Sequence, residues 1–189
     1  MAYDVTQRPP GTTRLRDLPF RAVGDQPAFE PADLERFVDG RRVAVLAYAR
    51  RDRRPNQSPI WYVHHEGAFY MSTVTGSPKH RALERDPRVC LTIQDEAPPY
   101  RAAIFDGTVE LSPMPDPDPT AGISVRYLGR IGAAAYDRLT AEHYAATGLT
   151  LMTLRPDAVR GFDNTRALSR SALAFVRVRN WLPVPRGVL

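Results

Sequence analysis

Lys79 is the only lysine in 189 residues; the remainder of the 26 Lys+Arg are arginine. It follows a run, "TVTGSP", in which Thr73, Thr75 and Ser77 place a hydroxyl at every second position. Ser77-Pro78 reads as a helix start, with serine as the cap and proline in the first turn. A strand ending near Thr73, a loop through Gly76 and a helix from Ser77 make the geometry of an anion site. Free backbone N–H groups and the positive end of the helix dipole point outward there. The hydroxyls add donors. Lys79 adds a compact charge with three rotatable donors, which suits a phosphate already met by other groups. Arg81 lies two residues on and offers a second charge. The alternative is a solvent-facing lysine in a first turn, where a cation costs about 0.3–1 kcal/mol unless an anion sits nearby.

The elements that must hold these residues are legible as a pattern. "RVAVLAYA" (42–49) is β-rich and apolar. "QSPIWYVHH" (57–65) and "AFYMSTV" (68–74) flank Glu66-Gly67, a hairpin turn. "RVCLTIQ" (88–94) alternates Val89, Leu91 and Ile93 against Cys90, Thr92 and Gln94. "YRAAIFDGTVEL" (100–111) is a longer strand with a bulge at Gly107, and "TLMTLRP" (150–156) is a last strand closed by Pro156. Helical patterns cover 30–40, the segment from Ser77, 118–146 in two parts, and 164–178, the last read either as one helix or as a helix followed by a strand. Residues 1–28 read as an extended arm with little structure of its own, and 29–189 as a single domain. About six antiparallel strands with short helices predict an α+β fold built on a small barrel.

Composition narrows the function. The net charge is +5, which draws an anionic ligand such as a phosphorylated cofactor. The arginines are dispersed among 21 acids, and no nucleic-acid recognition motif is present, so nucleic acid is not the expected partner. The one dense basic run, "ARRDRR" (49–54), reads first as a solvated turn. The longest apolar run, 43–49, is far too short to span a bilayer, and no membrane partner is expected. The N-terminus lacks the apolar core of a secretory signal, and a single cysteine, Cys90, allows no internal disulfide. A cytoplasmic protein is the expectation.

These residues, in this order and spacing, resemble the pyridoxamine 5'-phosphate oxidase-like split-barrel superfamily. The features are S-P-x-W-Y on one strand, an E-G hairpin, Y-x-S-T, S-x-K-x-R-x-L, D-P-R-V, and P-Y-R with a glycine several residues later, over about residues 34–162. The chain is most similar to the branch of deazaflavin- and flavin-dependent oxidoreductases, which "VRYLG" (125–129) and "LTLMTLRPDAVRGF" also resemble. The resemblance implies a split β-barrel homodimer with the cofactor at the interface. It implies that Thr73, Ser77 and Lys79 hold a cofactor phosphate, with Arg41 or Arg42 adding to it; Thr75 and Arg81 join these candidates by their place in the loop and the helix start. It implies that Ser58, Pro59, Ile60 and Trp61 border the ring. The cofactor would be deazaflavin coenzyme F420, with FMN as the alternative, and the substrate a small organic molecule. A non-catalytic member carrying flavin, haem or a tetrapyrrole is the further alternative. The chain lacks the R-x-V-L-L-K lysine and the R-L-x-P ending of true pyridoxamine phosphate oxidases, so pyridoxine phosphate is not the expected substrate.

Other residues invite roles. His64 and His65 lack further ligands at metal spacing and read as a wet strand end, so no metal is expected. Trp61 suits core packing and a ring wall equally. Cys90 reads as inert. Tyr127, His143 and Tyr144 are candidates for a pocket wall, with packing the commoner role at helical spacing. No catalytic acid or base stands out, which fits an enzyme whose cofactor supplies the chemistry.

Overall fold

The computed structural model describes residues 14–181, so expectations on residues 1–13 and 182–189 fall outside the described residues. The strands are β1 (Phe20–Ala22), β2 (Ala44–Ala49), β3 (Pro55–Ile60), β4 (Val63–His65), β5 (Ala68–Val74), β6 (Arg88–Gln94), β7 (Arg101–Pro113) and β8 (Leu149–Asp163). The helices are α1 (Pro31–Asp39), α2 (Pro78–Arg85), α3 (Ile123–Thr147) and α4 (Arg170–Trp181). The result is the expected α+β split barrel, with eight strands among the described residues rather than about six.

The strand order is β3-β2-β6-β7-β8-β5-β4, antiparallel throughout, with β1 added in parallel beside the far half of β8. The two outer strands of that path, β3 and β4, are consecutive in the chain. Only Trp61 and Tyr62 separate them. Three peptide steps from Ile60 to Val63 span at most about 10 Å, so the sheet must curl until its edges approach. The residues 57–65, which read as one strand, therefore divide. Ile60 pairs with Ala44, and Val63 pairs with Tyr70 on the other side. At the break Tyr62 turns into the core, and its hydroxyl donates to the Val38 carbonyl at 2.7 Å.

Period-two burial fills the barrel. Ala44, Leu46 and Tyr48 of β2, Val89, Leu91 and Ile93 of β6, Phe105 of β7, and Met152 and Leu154 of β8 all point inward. The rings of Phe69 and Phe105 meet at 4.7 Å near the centre. Leu34, Phe37 and Val38 of α1 close one end. The Glu66-Gly67 turn has φ of 52° and 73°, the two left-handed residues of the expected tight hairpin.

Four expectations change. Pro156 does not close β8, which runs on to Asp163. The register slips between Asp106 and Gly107: Gly107 pairs with Pro156, Asp106 with Ala158, and Asp157 is left over as a bulge. A proline costs no ladder bond there. A Cβ on Gly107 would sit 2.9 Å from the Leu154 Cδ1 and 3.0 Å from the Arg155 carbonyl oxygen, so the glycine admits the bulge. From residue 14 the N-terminal segment is tied down, because Leu15 is buried and β1 pairs with β8. A turn of 3-10 helix (Asn164–Ala167) precedes α4, in place of one helix from residue 164. The two-part reading of 118–146 appears as one helix broken at Gly129, whose φ is 69°.

β8 is the spine. It pairs with β7 along its length, with β5 through Leu149–Leu154, and with β1 through Val159–Gly161. At Gly161 a Cβ would lie 2.3 Å from the Ala102 carbonyl oxygen, a backbone atom that cannot step aside alone. Gly161→Ala is expected to cost about 1–3 kcal/mol of stability. Urea unfolding checks this: an unchanged midpoint would mean that β7 and β8 part more readily than their register implies.

Candidate functional site

A cleft of about 610 Å³ opens where the sheet edges meet. β3 and the two-residue link bring Pro59, Ile60 and Trp61 to it. β5 brings Ser72, Thr73 and Val74, and α2 brings Lys79. The opposite wall comes from the segment before α3 and from α3 itself: Asp118, Thr120, Ser124, Tyr136, Asp137, Thr140 and Tyr144.

Lys79 is half-buried, and among the described residues its ammonium has no ion-pair or hydrogen-bond partner. Burial alone pushes its pKa down from the ordinary lysine value of 10.5, with no carboxylate close enough to offset it. Its backbone N–H is also free of partners among the described residues, because the cap is spent one residue on: Ser77 Oγ accepts from the His80 N–H at 3.2 Å. The Thr73 and Ser77 hydroxyls lie 3.2 Å apart, and Thr73 faces the cleft. A desolvated cation, a free N–H and a hydroxyl converge on one end of the cleft. That donor set fits a phosphate.

The other end has the opposite sign. Asp118 Oδ1 accepts from the N–H and the hydroxyl of Thr120, each at 2.7 Å, and the Ser124 hydroxyl donates to Asp137 Oδ2 at 3.3 Å. Neither carboxylate has a cationic partner among the described residues. The Tyr136 and Tyr144 hydroxyls are 2.8 Å apart, and that bond, with burial second, pushes Tyr136 up to about 12. Of the two ends, only the lysine end offers a cationic donor to an anion.

Trp61 forms the floor between them. Its ring stacks on Tyr127 at 5.0 Å and 5° and tilts against Tyr136 at 5.2 Å. Tyr127 is held in turn. Its hydroxyl donates to the Arg42 carbonyl at 2.8 Å and accepts from the Tyr62 N–H at 3.2 Å, giving the strand break the partner that no ladder supplies. Arg126 donates to the carbonyls of Asp39 and Gly40 at 2.8 and 3.0 Å, docking the start of α3 on the end of α1.

Of the residues singled out in the sequence, the cleft gathers Pro59, Ile60, Trp61, Thr73 and Lys79. Ser77 stands just behind, bonded to Thr73. Thr75 turns to the Thr150 hydroxyl at 2.9 Å, in a neighbouring concavity. Arg81 is exposed, its guanidinium on the Gly76 carbonyl. Arg41 and Arg42 line a different concavity, where Arg42 bonds Asp95 at 2.8 Å. The Ser58 hydroxyl is buried without a partner among the described residues. Tyr144 does line the cleft; Tyr127 acts through Trp61; His143 is exposed. His64 is not a wet strand end: its side chain is only 9% exposed, with Nδ1 2.8 Å from an Asp39 carboxylate oxygen and its ring 5.2 Å from Phe69. Burial pushes the Cys90 thiol up, away from reactivity. Among the described residues no group of three or more His, Cys, Asp or Glu is placed to hold a metal, and no helix is long and apolar enough to cross a membrane. Of the α3 wall, sequence reasoning singled out only Tyr144 and missed Asp118, Thr120, Ser124, Tyr136, Asp137 and Thr140. The wall's signal was Tyr136, Thr140 and Tyr144 at four-residue spacing, one face of a helix that is neither core nor purely polar.

Comparison with solved structures supports this architecture. A conserved hypothetical protein, Rv2991 from Mycobacterium tuberculosis, superposes with a TM-score of 0.63 at 20% identity, covering 89% of this chain and 99% of its own. An F420 reductase gives 0.52 at 21%, covering 66% and 94%. A Clostridium acetobutylicum protein related to general stress protein 26, of the pyridoxinephosphate oxidase family, gives 0.51 at 14%, covering 69% and 86%. No curated protein matches in sequence. Among protein families the match is to pyridoxamine 5'-phosphate oxidase, over residues 31–163. That span runs from the first residue of α1 to the last of β8 and takes in the lysine end of the cleft, and by it the chain belongs to the pyridoxamine 5'-phosphate oxidase family.

Proposed function

We propose that this chain is an oxidoreductase that holds a ribityl-phosphate redox cofactor in the cleft, with F420 as the cofactor and FMN as the alternative. The observation that carries the reading is Lys79: a half-buried ammonium without a partner among the described residues, beside an aromatic floor. An unpaired cation is costly to desolvate, and an anion in the cleft offsets that cost. The fold is shared with an F420 reductase, which makes a deazaflavin compatible with a barrel of this shape.

When bound, the reduced deazaflavin supplies a hydride to an activated C=C or C=O of a small organic substrate. The chain's residues bind and orient. Lys79, its N–H and Thr73 take the phosphate, so that binding energy spent far from the reacting atoms positions the ring. Pro59, Ile60 and Trp61 bound the ring's space, and Tyr136 and Tyr144 narrow the cleft from α3. The Asp118 and Asp137 carboxylates repel a phosphate from the α3 end and so fix which way round the cofactor enters. We propose a homodimer with the cofactor at its interface, in which the partner covers the apolar positions Val43, just before β2, and Val45, on the outer side of β2.

Three measurements test this. Lys79→Ala should raise the dissociation constant for F420 or FMN about ten- to hundredfold, the loss of one charge-assisted contact. Lys79→Arg should recover part of it, and circular dichroism should be unchanged for both. Unaltered affinity for both cofactors in a folded Lys79→Ala protein would remove the phosphate from this cleft. Light scattering should give twice the 21.2 kDa chain mass; a monomer would remove the interface site. The pH dependence follows from burial. Without ligand, the folded lysine binds its proton less tightly than the unfolded one, so unfolding takes up a proton in the alkaline window below 10.5 and stability rises with pH there. Lys79→Gln should flatten that rise, as should a bound phosphate, which restores the ammonium. Parallel profiles for wild type and Lys79→Gln would show that the lysine is solvated.

A further inference from the structure

The α3 end of the cleft carries charge that nothing in the described chain answers. Asp118 engages only Oδ1, which accepts both of its bonds from Thr120, and Asp137 engages only Oδ2, which accepts from Ser124. Asp118 Oδ2 and Asp137 Oδ1 have no partner among the described residues. Lys79 is the one cation among the described residues that line the cleft, and it stands at the other end.

Asp137 reaches this place only because α3 is broken. Ser124 and Asp137 lie 13 residues apart in the chain, which is about 20 Å along the axis of an unbroken helix. Gly129, at φ 69° and ψ 173°, turns the second part of α3 back, and the Ser124 hydroxyl meets the Asp137 carboxylate at 3.3 Å. The hydroxyls behind the two carboxylates are fixed by burial: Thr120 is 4% exposed and Ser124 8%. Two like charges are thus held on one wall, in a cleft that the rings of Trp61, Tyr136 and Tyr144 also line. A cationic nitrogen group answers both features, because carboxylates pair with its charge and aromatic faces attract it.

We propose that the substrate is a small organic cation, whose amine, amidine or quaternary ammonium group is held at the α3 end by Asp118 and Asp137 against the aromatic rings of the cleft. The inference rests on the cleft being the place of reaction. The charged nitrogen is separate from the C=C or C=O that is reduced, so it keeps its charge while the hydride is transferred. The carboxylates then bind substrate and transition state alike, and they set which substrate enters rather than how fast it reacts. The preference is local: the chain as a whole carries +5, a field that repels cations.

The test compares three probes of one shape, benzylamine, benzyl alcohol and benzoate, titrated into the full chain at neutral pH with ligand-observed NMR. Benzylammonium should bind about tenfold tighter than benzyl alcohol, and benzoate more weakly than either. Asp137→Asn, which keeps an oxygen for the Ser124 hydroxyl, should weaken benzylammonium roughly three- to fivefold and leave benzyl alcohol unchanged. Asp118→Asn and Asp137→Asn together should abolish the preference, with an unchanged circular dichroism spectrum. Glu142→Gln, on α3 but outside the cleft lining, should change neither probe. Equal affinities of benzylammonium and benzyl alcohol for the wild type overturn the proposal. So does a preference that survives the double substitution, or one that Glu142→Gln lowers as much as Asp137→Asn does. FMN titration of the same proteins separates this inference from the reading of Lys79. Lys79→Ala should weaken FMN and keep the cation preference, and the double substitution should not weaken FMN. Loss of FMN affinity in Lys79→Ala without any cation preference in the wild type sinks this proposal alone. A cation preference beside unaltered FMN affinity in Lys79→Ala upholds it and sinks the phosphate reading instead.

Discussion

The two edges of the barrel sheet are neighbours in sequence, and most of what surrounds the cleft follows from that. With only Trp61 and Tyr62 between β3 and β4, the backbone at the seam belongs to neither ladder. Its polar groups still need partners, and its side chains point in opposite directions. Tyr62 goes inward and bonds Val38; Trp61 goes outward and becomes the cleft floor. Tyr127 then completes the seam from α3, bonding the Tyr62 N–H while stacking on Trp61. One tyrosine therefore joins barrel closure to the shape of the binding surface, and α3 is a wall of the cleft because it is a brace of the seam.

Electrostatics divides the same cleft. A lysine with no partner among the described residues, and a pKa lowered by burial, marks one end; two carboxylates already bonded to hydroxyls mark the other. Lys79 makes no ion pair among the described residues, so the two ends act as separate fields. A ligand long enough to touch both must be anionic at one end and neutral or cationic at the other.

Strand periodicity and turn chemistry were legible in the sequence because they are local. The alternation of β6, the Glu66-Gly67 hairpin, the serine cap of α2 and the Gly107 bulge all stand where their residues indicated. The failures are places where tertiary structure overrides local pattern. Nothing near Pro156 announces that it falls beside a bulge, so the strand seemed to end there. Nothing in "QSPIWYVHH" shows that its halves pair with opposite edges of one sheet. At the site, the lysine end was readable because one loop carries it, whereas of the α3 wall only Tyr144 was singled out, because Asp118 and Tyr136 approach Lys79's cleft only through the fold. His64 reads as a surface residue until Asp39, twenty-five positions away, is brought to 2.8 Å.

The solitary lysine has a chemical corollary. Lys79 is the sole side-chain primary amine in the sequence, and burial makes it lose its proton more readily than a lysine in water. A neutral amine is a nucleophile, so aldehydes and acyl donors small enough to enter would meet their one lysine target inside the cleft. Whatever anion occupies that end both restores the proton and blocks the approach. The protein therefore carries a built-in reporter of its own occupancy, in which covalent labelling at one amine reads whether the cleft is filled.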